Sequence, residues 1–345
     1  MNKIKIGILS PSNIAYNRFL PSLQKSINFE YIGLAVANCE EWKNEFETVS
    51  EEILKADLDK AKRFTDKFGG EIYQSYTDMI HDTNIDAVYI PLPPALHYEW
   101  AKKALIAGKH VLVEKPSTTK QDDTNELIEL AKKKDLAFHE NYMFVFHKQV
   151  NIIKSMISSE EFGQIRGYKM SFGFPRRDKS DFRYNASLGG GALLDCGGYP
   201  MKLASVLLGE TAEVMYSKLN YTDEFEVNLF GTVVMENGNG ITAQISFGMD
   251  NAYQCQLEAW GSKQTIIAPR IFTAGSDVEP PIIIRSSTDE EKIVLDTDDQ
   301  FLHSIDHFYD CIKNENARVQ NYKTISKQSE LVEYVMKKGE EEKCR

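Results

Sequence analysis

The sequence predicts two domains: an α/β domain with a parallel sheet over residues 1–140, then an α+β domain with an open, mainly antiparallel sheet over residues 141–345. In the first half, short apolar runs alternate with segments of helical length, which is typical of a parallel sheet covered on both faces. In the second half, longer strand-like runs follow one another through turns. The length of 345 residues also suits two cores better than one. The C-terminal helices could pack back on the first domain.

Five apolar runs predict the strands of the first domain, and the residues around them predict where its helices begin and end. Pro94 suits the first turn of a helix, and Gly69 and Gly108 are typical of the position just after one. Pro21 should interrupt the first helix because it lacks an N–H. The predicted strands cover residues 3–9, 31–37, 87–92, 111–113 and 136–139, and the predicted helices cover residues 14–20, 57–68, 94–107 and 122–134.

The second domain is predicted to be rich in strands. Strand-like segments lie within residues 163–172, 226–247 and 253–261, and residues 324–338 have a helical pattern. The stretch Asn237-Gly238-Asn239-Gly240 lies between two apolar runs, which is a strong signal for a hairpin. We therefore expect an antiparallel sheet with its helices on one side.

Composition excludes several kinds of partner. A net charge of -11 argues against binding to nucleic acid or to an anionic membrane surface. No apolar run is long enough to cross a bilayer, and no convincing signal peptide is present, so we expect a cytoplasmic protein. The number of cysteines is odd and no C-x-x-C pair occurs, which predicts free thiols and no metal site.

The turn after the first strand lies where a dinucleotide-binding (Rossmann) fold keeps its glycines. The pattern G-x-G-x-x-G/A would fall on Ser10, Ser12 and Ala15, so both glycines are serines. Small residues still allow a close backbone approach, and a serine hydroxyl could bind a phosphate at the helix N-terminus. Alternatively, Ser12 or Asn13 is an ordinary N-cap without a ligand. The candidate cofactor-binding residues of this turn are Ser10, Ser12, Asn13 and Ile14.

The end of the second strand bears on the choice of cofactor. A site for NAD normally has an acid there, which holds the ribose hydroxyls. Here the chain reads Ala37-Asn38-Cys39, so NADP(H) is favoured and NAD(H) remains possible. No arginine replaces the acid, and Lys43 is the nearest base. Asn38 is therefore a further candidate for contact with the cofactor.

Two motifs resemble the Gfo/Idh/MocA oxidoreductases. The first, DAVYIPLPPALHYEWAKKALIAGKHVLVEKP, covers residues 86–116, and the second, LGGGALLDCGGYPMKLASVLLG, covers residues 188–209. PLPPALH, ENYMFVFHKQ and DFRYNASLGGGALLDCGGYP are most similar to the sugar 3-ketoreductases of nucleotide-sugar pathways, with dihydrodiol and xylose dehydrogenases close behind. Tyr199 stands where many relatives carry histidine. The ketoreductase and dihydrodiol branches also carry tyrosine at this position.

The resemblance implies hydride transfer between a nicotinamide and a sugar carbon. Its best reading is reduction of the C3 keto group of a nucleotide-linked keto-sugar. The alternatives are a dehydrogenase of a free sugar or trans-dihydrodiol and, from another class, a non-catalytic NAD(P)-binding sensor. The resemblance also implies a homodimer or homotetramer formed through the open sheet.

Lys115, Tyr199 and Asp195 are the candidate catalytic residues. Lys115 ends an apolar strand, and Pro116 after it keeps the backbone extended, so the lysine should reach over the sheet edge. Asp195 and Tyr199 are four residues apart and would share a helix face. We expect Tyr199 to give a proton to the ketone oxygen that Lys115 stabilises. Asp195 would accept a substrate hydroxyl or orient another group.

Further candidates lie around these residues. Each of them also has a structural interpretation, because a lone histidine can be part of a core and loop arginines can be solvated. The expected cofactor-binding residues include Pro91, Leu92, Pro94, His97, Glu114 and Lys115, and Glu114 could also steady Lys115. The expected substrate-binding residues are Tyr142, His147, Arg176 and Arg183 together with Asp195 and Tyr199, with Arg177 beside them; arginine forks match the oxygens of a nucleotide diphosphate.

Overall fold

The computed structural model describes residues 3–41 and 51–343. Its chain divides into two compact units. The first contains the chain up to Thr118, Asp122–Asn141 and Ser304–Ser326. The second contains Thr119–Gln121, Tyr142–His303 and the chain from Lys327 onward. Lys43, the base nearest to the second strand in sequence, lies outside the described residues.

The first unit is built on a six-stranded parallel sheet. Its strands are β1 (Ile4–Leu9), β2 (Phe29–Ala35), β3 (Glu71–Tyr73), β4 (Ala87–Ile90), β5 (His110–Glu114) and β6 (Phe138–Asn141). They lie in the order β3-β2-β1-β4-β5-β6, and each described pair is parallel. The strand order reverses between β1 and β4, which is the switch point of a doubly wound fold. The predicted Rossmann architecture is confirmed.

Helices connect these strands. They are α1 (Leu20–Leu23), α2 (Glu51–Phe68), α3 (Tyr76–His81), α4 (Pro94–Ile106) and α5 (Gln121–Lys134). The two C-terminal helices, α8 (Gln300–Lys313) and α9 (Glu315–Lys343), belong partly to this unit, and Tyr322 and Ile325 join its apolar core. The prediction contained neither β3 nor α3, because both are too short to show a period.

The prediction that Pro21 interrupts the first helix is wrong. The helix continues through Pro21 to Leu23, after a wider π turn over Ala15–Phe19. In that turn the N–H of Leu20 donates to the carbonyl of Ala15, five residues back. Because Pro21 sits in the first turn of α1, its missing N–H removes no bond from the middle of that helix.

The second unit is built on an eight-stranded mixed sheet. Its strands are β7 (Ile165–Gly173), β8 (Glu213–Thr222), β9 (Phe225–Glu236), β10 (Thr242–Gly248), β11 (Gln254–Gly261), β12 (Thr265–Ala268), β13 (Pro281–Arg285) and β14 (Glu290–Val294). Their order is β14-β13-β12-β11-β7-β10-β9-β8. Among the described strands of this sheet, only β7 and β10 pair in parallel, so the predicted mainly antiparallel sheet is confirmed.

The predicted hairpin joins β9 to β10. The side-chain oxygen of Asn237 accepts the backbone N–H groups of Asn239 and Ile241 and so closes the turn. This unit also contains two helices, α6 (Lys148–Ile157) and α7 (Gly198–Leu208). Parts of α8 and α9 and several short helical turns belong to it as well. No helix in the described ranges is long and apolar enough to span a membrane.

One glycine of the parallel sheet has no room for a side chain. A Cβ at Gly33 of β2 would lie 2.3 Å from the carbonyl oxygen of Glu71 on β3. We expect Gly33→Ala to lower the free energy of unfolding by about 1–3 kcal/mol, because backbone atoms cannot move aside without distorting the strand pair. Urea denaturation would measure the loss.

Gly238→Ala is the matched control, because the nearest atom to its new Cβ would be 3.5 Å away, on Thr211. Equal stability of the two variants would contradict the close β2–β3 approach.

Candidate active site

The carboxyl ends of neighbouring parallel strands meet at one edge of the first unit's sheet. β1, β4, β5 and β6 lie side by side, so the turns that follow them form a continuous border. Ligands of doubly wound folds bind along this border, beside the switch point. The predicted cofactor residues of this unit lie on these turns, at the end of β2 or, for His97, on the helix that follows β4.

The turn after β1 has the backbone that a glycine would adopt. Ser10 has a positive φ of 87°, which is uncommon for a residue with a side chain. The hydroxyl of Ser12 accepts the N–H of Ala15, so Ser12 caps the start of the helix. A helix cap was one of the two roles predicted for Ser12. Asn13 is exposed and Ile14 half-buried at the same helix end. The serine substitutions therefore keep the shape of the turn.

The end of β2 is closed by an acid that the sequence analysis did not consider. Glu41 accepts four hydrogen bonds, from the backbone N–H groups of Asn38, Tyr76 and Thr77 and from the Thr77 hydroxyl. The Asn38 side chain in turn accepts the N–H groups of Glu40 and Glu41. Because its oxygens already bind these donors, Glu41 is not a ready partner for a ribose diol.

His97 joins two turns of the sheet edge. Its ring is fully buried, with Nδ1 2.7 Å from the carbonyl oxygen of Pro116 and Nε2 2.7 Å from that of Leu92. Burial and the nearby charge of Lys115 lower the pKa of His97 to about 4, against the two carbonyls, which favour the protonated ring. Both ring nitrogens therefore face the protein's own backbone, and a cofactor contact by His97 itself stays a prediction.

The other residues predicted on this turn have clear positions. Pro91 follows β4 directly and is buried, as is Leu92. Pro94 begins α4, as predicted from its fixed φ. These residues therefore set the backbone path that His97 holds.

Lys115 lies where the sequence predicts, immediately after β5. It is half-buried, and its peptide bond to Pro116 is cis. The carboxylate of Glu114 accepts the Tyr89 hydroxyl at 2.6 Å and the Asn141 amide at 2.7 Å, from the strands on either side. Burial raises the pKa of Glu114, while these bonds and the charge of Lys115 oppose that rise. Glu114 is thus fixed by both neighbouring strands.

In the second unit, Tyr199 is held by aromatic packing. It is 7% exposed and stands in the first turn of α7. Four rings surround it with centroids between 5.1 and 6.3 Å away, those of Tyr142, Phe144, Phe172 and Phe272. Such packing fixes the orientation of the ring.

Asp195 lies in a π turn, Leu193–Gly197, rather than in a regular α-helix. This turn runs directly into α7, so Asp195 and Tyr199 lie on one helical run that is wider than an α-helix at Asp195, and their shared face stays a prediction. Arg183 donates from Nε to Asp195 at 2.8 Å and also pairs with Asp181. The Asp195 carboxylate is thus oriented by an arginine that was itself predicted to bind substrate.

The glycine triplet is tightly enclosed, as a close-approach turn requires. A Cβ at Gly190 would lie 2.4 Å from the carbonyl oxygen of Arg183, and Gly191 has a φ of +116°. The N–H of Gly191 donates to that same carbonyl, and the N–H of Asp195 donates to Gly191. The triplet therefore ties the Arg183 segment to the turn that carries Asp195.

Arg176 and Arg177 lie on the same segment as Arg183. Arg176 pairs with Glu224 and lies 4.0 Å from Asp250. Arg176 and Lys179 together lower the pKa of Glu224 to about 2. The guanidinium of Arg177 lies 5.0 Å from the ring centre of Phe174. Arg176 and Arg183 are thus each paired with acidic side chains. To bind a diphosphate, either arginine would have to keep these acids as additional partners or give them up.

Tyr142 and His147 are both buried in the second unit. Nδ1 of His147 accepts the N–H of Gln149, so the neutral ring carries its proton on Nε2. That nitrogen is buried with no hydrogen-bond partner among the described residues. A buried donor left unpaired costs about 1–3 kcal/mol, so a bound oxygen atom would stabilise it.

Tyr89 and Asn141 were missed by the sequence analysis. Each is a polar residue at or near the end of an otherwise apolar strand, in AVYI and FHEN. That position was the available signal, because ends of adjacent parallel strands share an edge. No group of acids, histidines and cysteines in the described ranges could hold a metal.

The arrangement of the first unit fits a dinucleotide. A positive φ in the first turn and a capped helix start suit a pyrophosphate at that helix end. Contacts of Ser10, Ser12 and Leu92 with the cofactor, and of Lys115 beside the nicotinamide, stay predictions.

His97 should make stability depend on pH. The ring takes up a proton near its ordinary pKa of 6.5 in the unfolded chain, and only near 4 in the folded chain. The native state is therefore favoured above pH 6.5 and loses up to ~3 kcal/mol of stability as the pH falls to about 4. We expect His97→Asn to flatten this part of the curve of unfolding free energy against pH.

The exposed His81 supplies a matched substitution, His81→Asn, which should leave the curve unchanged. Parallel curves for wild type and His97→Asn, measured by urea denaturation from pH 7 to pH 4, would show that His97 is not held neutral.

Comparisons with known proteins agree with this geometry. The model of the Gfo/Idh/MocA oxidoreductases with NAD-binding Rossmann fold matches residues 31–142, and that of the family's C-terminal domain matches residues 150–267. The chain is 35% identical over 335 residues to dTDP-3,4-didehydro-2,6-dideoxy-alpha-D-glucose 3-reductase of Actinomadura kijaniata, covering 97% of this chain and 95% of that protein. It is 29% identical over 246 residues to D-xylose 1-dehydrogenase (NADP(+)) 2 of Haloferax volcanii, covering 71% of this chain and 69% of that protein.

A solved structure shows the same fold. The crystal structure of a 3-ketoreductase from Actinomadura kijaniata with NADP and TDP-benzene superimposes with a TM-score of 0.88 at 34% identity, covering 97% of this chain and 98% of that chain. Mutants of that ketoreductase with a tyrosine replaced by phenylalanine, or a lysine by alanine, have also been crystallised with both ligands. The fold, the motifs and these matches together show that the chain belongs to the Gfo/Idh/MocA family of oxidoreductases.

Proposed function

We propose that this enzyme uses NADPH to reduce the C3 keto group of a nucleotide-linked keto-sugar. The observation that carries the proposal is the match to a 3-ketoreductase over 97% of this chain and 95% of that protein. Lys115 and Tyr199, the two predicted catalytic residues, are of the residue types replaced in the crystallised ketoreductase mutants. Turnover of a nucleotide keto-sugar, compared with free xylose and a trans-dihydrodiol, tests the proposal.

NADPH supplies a hydride to the carbonyl carbon when it is bound. Ser10, Ser12, Asn13 and Ile14 would hold its pyrophosphate, and the backbone after β4 would support the nicotinamide end. Glu41 gives NADH no advantage, because its carboxylate is already bound by four donors and is not a ready partner for the ribose diol. Asn38 would lie beside the ribose.

Lys115 and Tyr199 act on the substrate oxygen. As the carbon gains hydride, its oxygen gains negative charge, which the ammonium of Lys115 stabilises. The phenol of Tyr199 then donates its proton, so that the carbonyl becomes an alcohol. Asp195, oriented by Arg183, accepts a hydroxyl of the sugar, and the buried Nε2–H of His147 donates to an oxygen of the substrate.

A second candidate is oxidation of a free sugar. The match to a D-xylose dehydrogenase over 71% of this chain favours it. A free sugar offers no diphosphate, so the arginines at Arg176 and Arg183 would keep only their acidic partners. A higher kcat/KM for xylose than for the nucleotide keto-sugar would make this candidate the better one.

Removing either catalytic group should slow the chemical step. We expect Tyr199→Phe to lower kcat by about 10²–10⁴-fold, the usual contribution of a general acid, and Lys115→Ala to lower it by a similar factor. Because the two groups act on one oxygen, the double variant should be little slower than the slower single variant. Single-turnover reduction measures all three.

Tyr168→Phe is a matched control, since Tyr168 is another buried tyrosine of the same unit, on β7. Fluorescence titration with NADPH and NADH should give wild-type affinities for all variants. Near-native kcat in Tyr199→Phe would mean that the proton comes from elsewhere, with Lys115 the first alternative.

We also propose that the open face of the eight-stranded sheet forms a homodimer or homotetramer. The strand register places Trp260, Phe230 and Tyr216 on one face together with the ion pair Lys169–Glu258. These three aromatic residues are 61%, 43% and 55% exposed. A large exposed apolar face on a folded chain favours burial against a second copy.

Trp260→Glu should convert the oligomer to a monomer, because a charge at the centre of an apolar contact cannot be desolvated cheaply. Light scattering at micromolar concentration gives the mass. Tyr334→Glu changes an aromatic residue of similar exposure on α9 and should leave the mass unchanged. A monomeric wild type, or an oligomeric Trp260→Glu variant, would rule out this interface.

A further inference from the structure

A chain of buried polar side chains leads away from Glu114. The Asn141 amide nitrogen donates to Glu114, and the Ser304 hydroxyl donates to the Asn141 oxygen at 2.8 Å. Nε2 of His139 lies 3.0 Å from the Ser304 oxygen, and its Nδ1 lies 3.1 Å from the Asn321 oxygen. We refer to Glu114, Asn141, Ser304, His139 and Asn321 as the Glu114 relay.

The end of the relay fixes the direction of its hydrogen bonds. The carbonyl oxygen of Phe138 accepts a hydrogen bond from the Asn321 amide nitrogen at 2.8 Å. The Asn321 oxygen therefore faces His139, and Nδ1 of His139 must carry a proton to donate to it. At the other end, the Glu114 carboxylate requires the nitrogen of Asn141, so the Asn141 oxygen faces Ser304.

Ser304 has one proton and two neighbours that could take it. If Ser304 donates to Asn141, its oxygen can accept from Nε2–H of His139, and the histidine then carries protons on both nitrogens. If His139 is neutral, Nε2 competes for the Ser304 proton and the Asn141 amide loses the bond that orients it. A cationic His139 and an ionised Glu114 thus satisfy every bond of the relay at once.

The relay also lies at two points where the chain passes between its units. Asn141 is the last residue of its segment in the first unit, and Ser304 is the first residue of the segment that returns to it. The Ser304–Asn141 hydrogen bond joins these two points directly. Neither Ser304 nor His139 belongs to a motif that the sequence analysis identified.

We propose that His139 and Ser304 are positioning residues that couple the protonation of His139 to the ionisation of Glu114, and through Glu114 position Lys115 for reduction. The proposal rests on the proposed role of Lys115. Each member of the relay is held by hydrogen bonds within the first unit, so the coupling is a property of that unit.

The groups that act on Glu114 come from three strands. Tyr89 on β4 and Asn141 on β6 donate to it, and Lys115 on its own strand adds a positive charge. His307 on α8 faces the other end of the relay, with its ring centre 5.3 Å from that of His139. Burial raises the pKa of Glu114, and the hydrogen bonds from Tyr89 and Asn141 and the charge of Lys115 oppose that rise.

The test is the pH profile of kcat in Ser304→Ala. Activity needs the ionised Glu114 and is lost as the pH falls through its pKa. Without the Ser304 hydroxyl, Asn141 no longer holds its amide toward Glu114, and the acidic limb should move to higher pH by up to about one unit. Ser304→Thr keeps the hydroxyl and should restore the limb. In Glu114→Gln, adding Ser304→Ala should leave the shape of the profile unchanged.

Ser326→Ala is the matched control, because the Ser326 hydroxyl also donates to an asparagine oxygen, that of Asn125, at 2.9 Å. It should leave the profile unchanged. NMR of ring-labelled histidine in the unliganded protein gives a readout that does not need turnover: both nitrogens of His139 should be protonated at neutral pH in the wild type and one in Ser304→Ala. A neutral His139 in the wild type, or an acidic limb that Ser304→Ala does not move, would overturn the proposal. Failure to reduce a keto-sugar would contradict the proposed function and leave the NMR test intact.

Discussion

The buried imidazole of His97 is the interaction on which the active-site edge depends. Its two ring nitrogens lie 2.7 Å from the carbonyl oxygens of Leu92 and Pro116, which follow two adjacent strands. The neutral ring donates its single N–H to one of these oxygens and packs against the other. One side chain therefore fixes the backbone on which Lys115 stands and the backbone that would support a nicotinamide. The pKa of His97, lowered by burial, keeps this bridge uncharged beside the ammonium of Lys115.

The polar residues of this edge mostly satisfy one another before any ligand is bound. Glu41 accepts hydrogen bonds from four donors, and Glu114 accepts one from each neighbouring strand. Arg183 is similarly divided between Asp181 and Asp195. Such bonds orient charged groups in advance, which reduces the cost of arranging them during a reaction. The Nε2–H of His147 is one of several buried polar groups without a hydrogen-bond partner in the described part of the chain, and we propose that it donates to the substrate.

The sequence was most informative where a local rule acts alone. Lys115 could be predicted because an apolar strand must end somewhere, and a polar residue at a parallel strand end lies at the shared edge. The hairpin at Asn237 followed from turn chemistry in the same way. Pro21 was misread because a π turn upstream allows a proline in the helix that follows, and a π turn depends on packing rather than on the residues themselves. Arg183 was predicted to bind a diphosphate from its residue type and position alone. Its pairing with Asp195, twelve residues away, could not be deduced from spacing.

The two units hold their catalytic candidates by different physical means. In the first, His97 contacts the backbone beside Lys115 and Glu114 precedes it, and both of these side chains are titratable. In the second, Tyr199 is fixed by four aromatic rings. A change of pH should therefore act on the charge-stabilising lysine and leave the position of the proton donor unchanged. It follows that the acidic limb of activity reports the first unit, and that aromatic substitutions around Tyr199 should alter the rate without moving that limb.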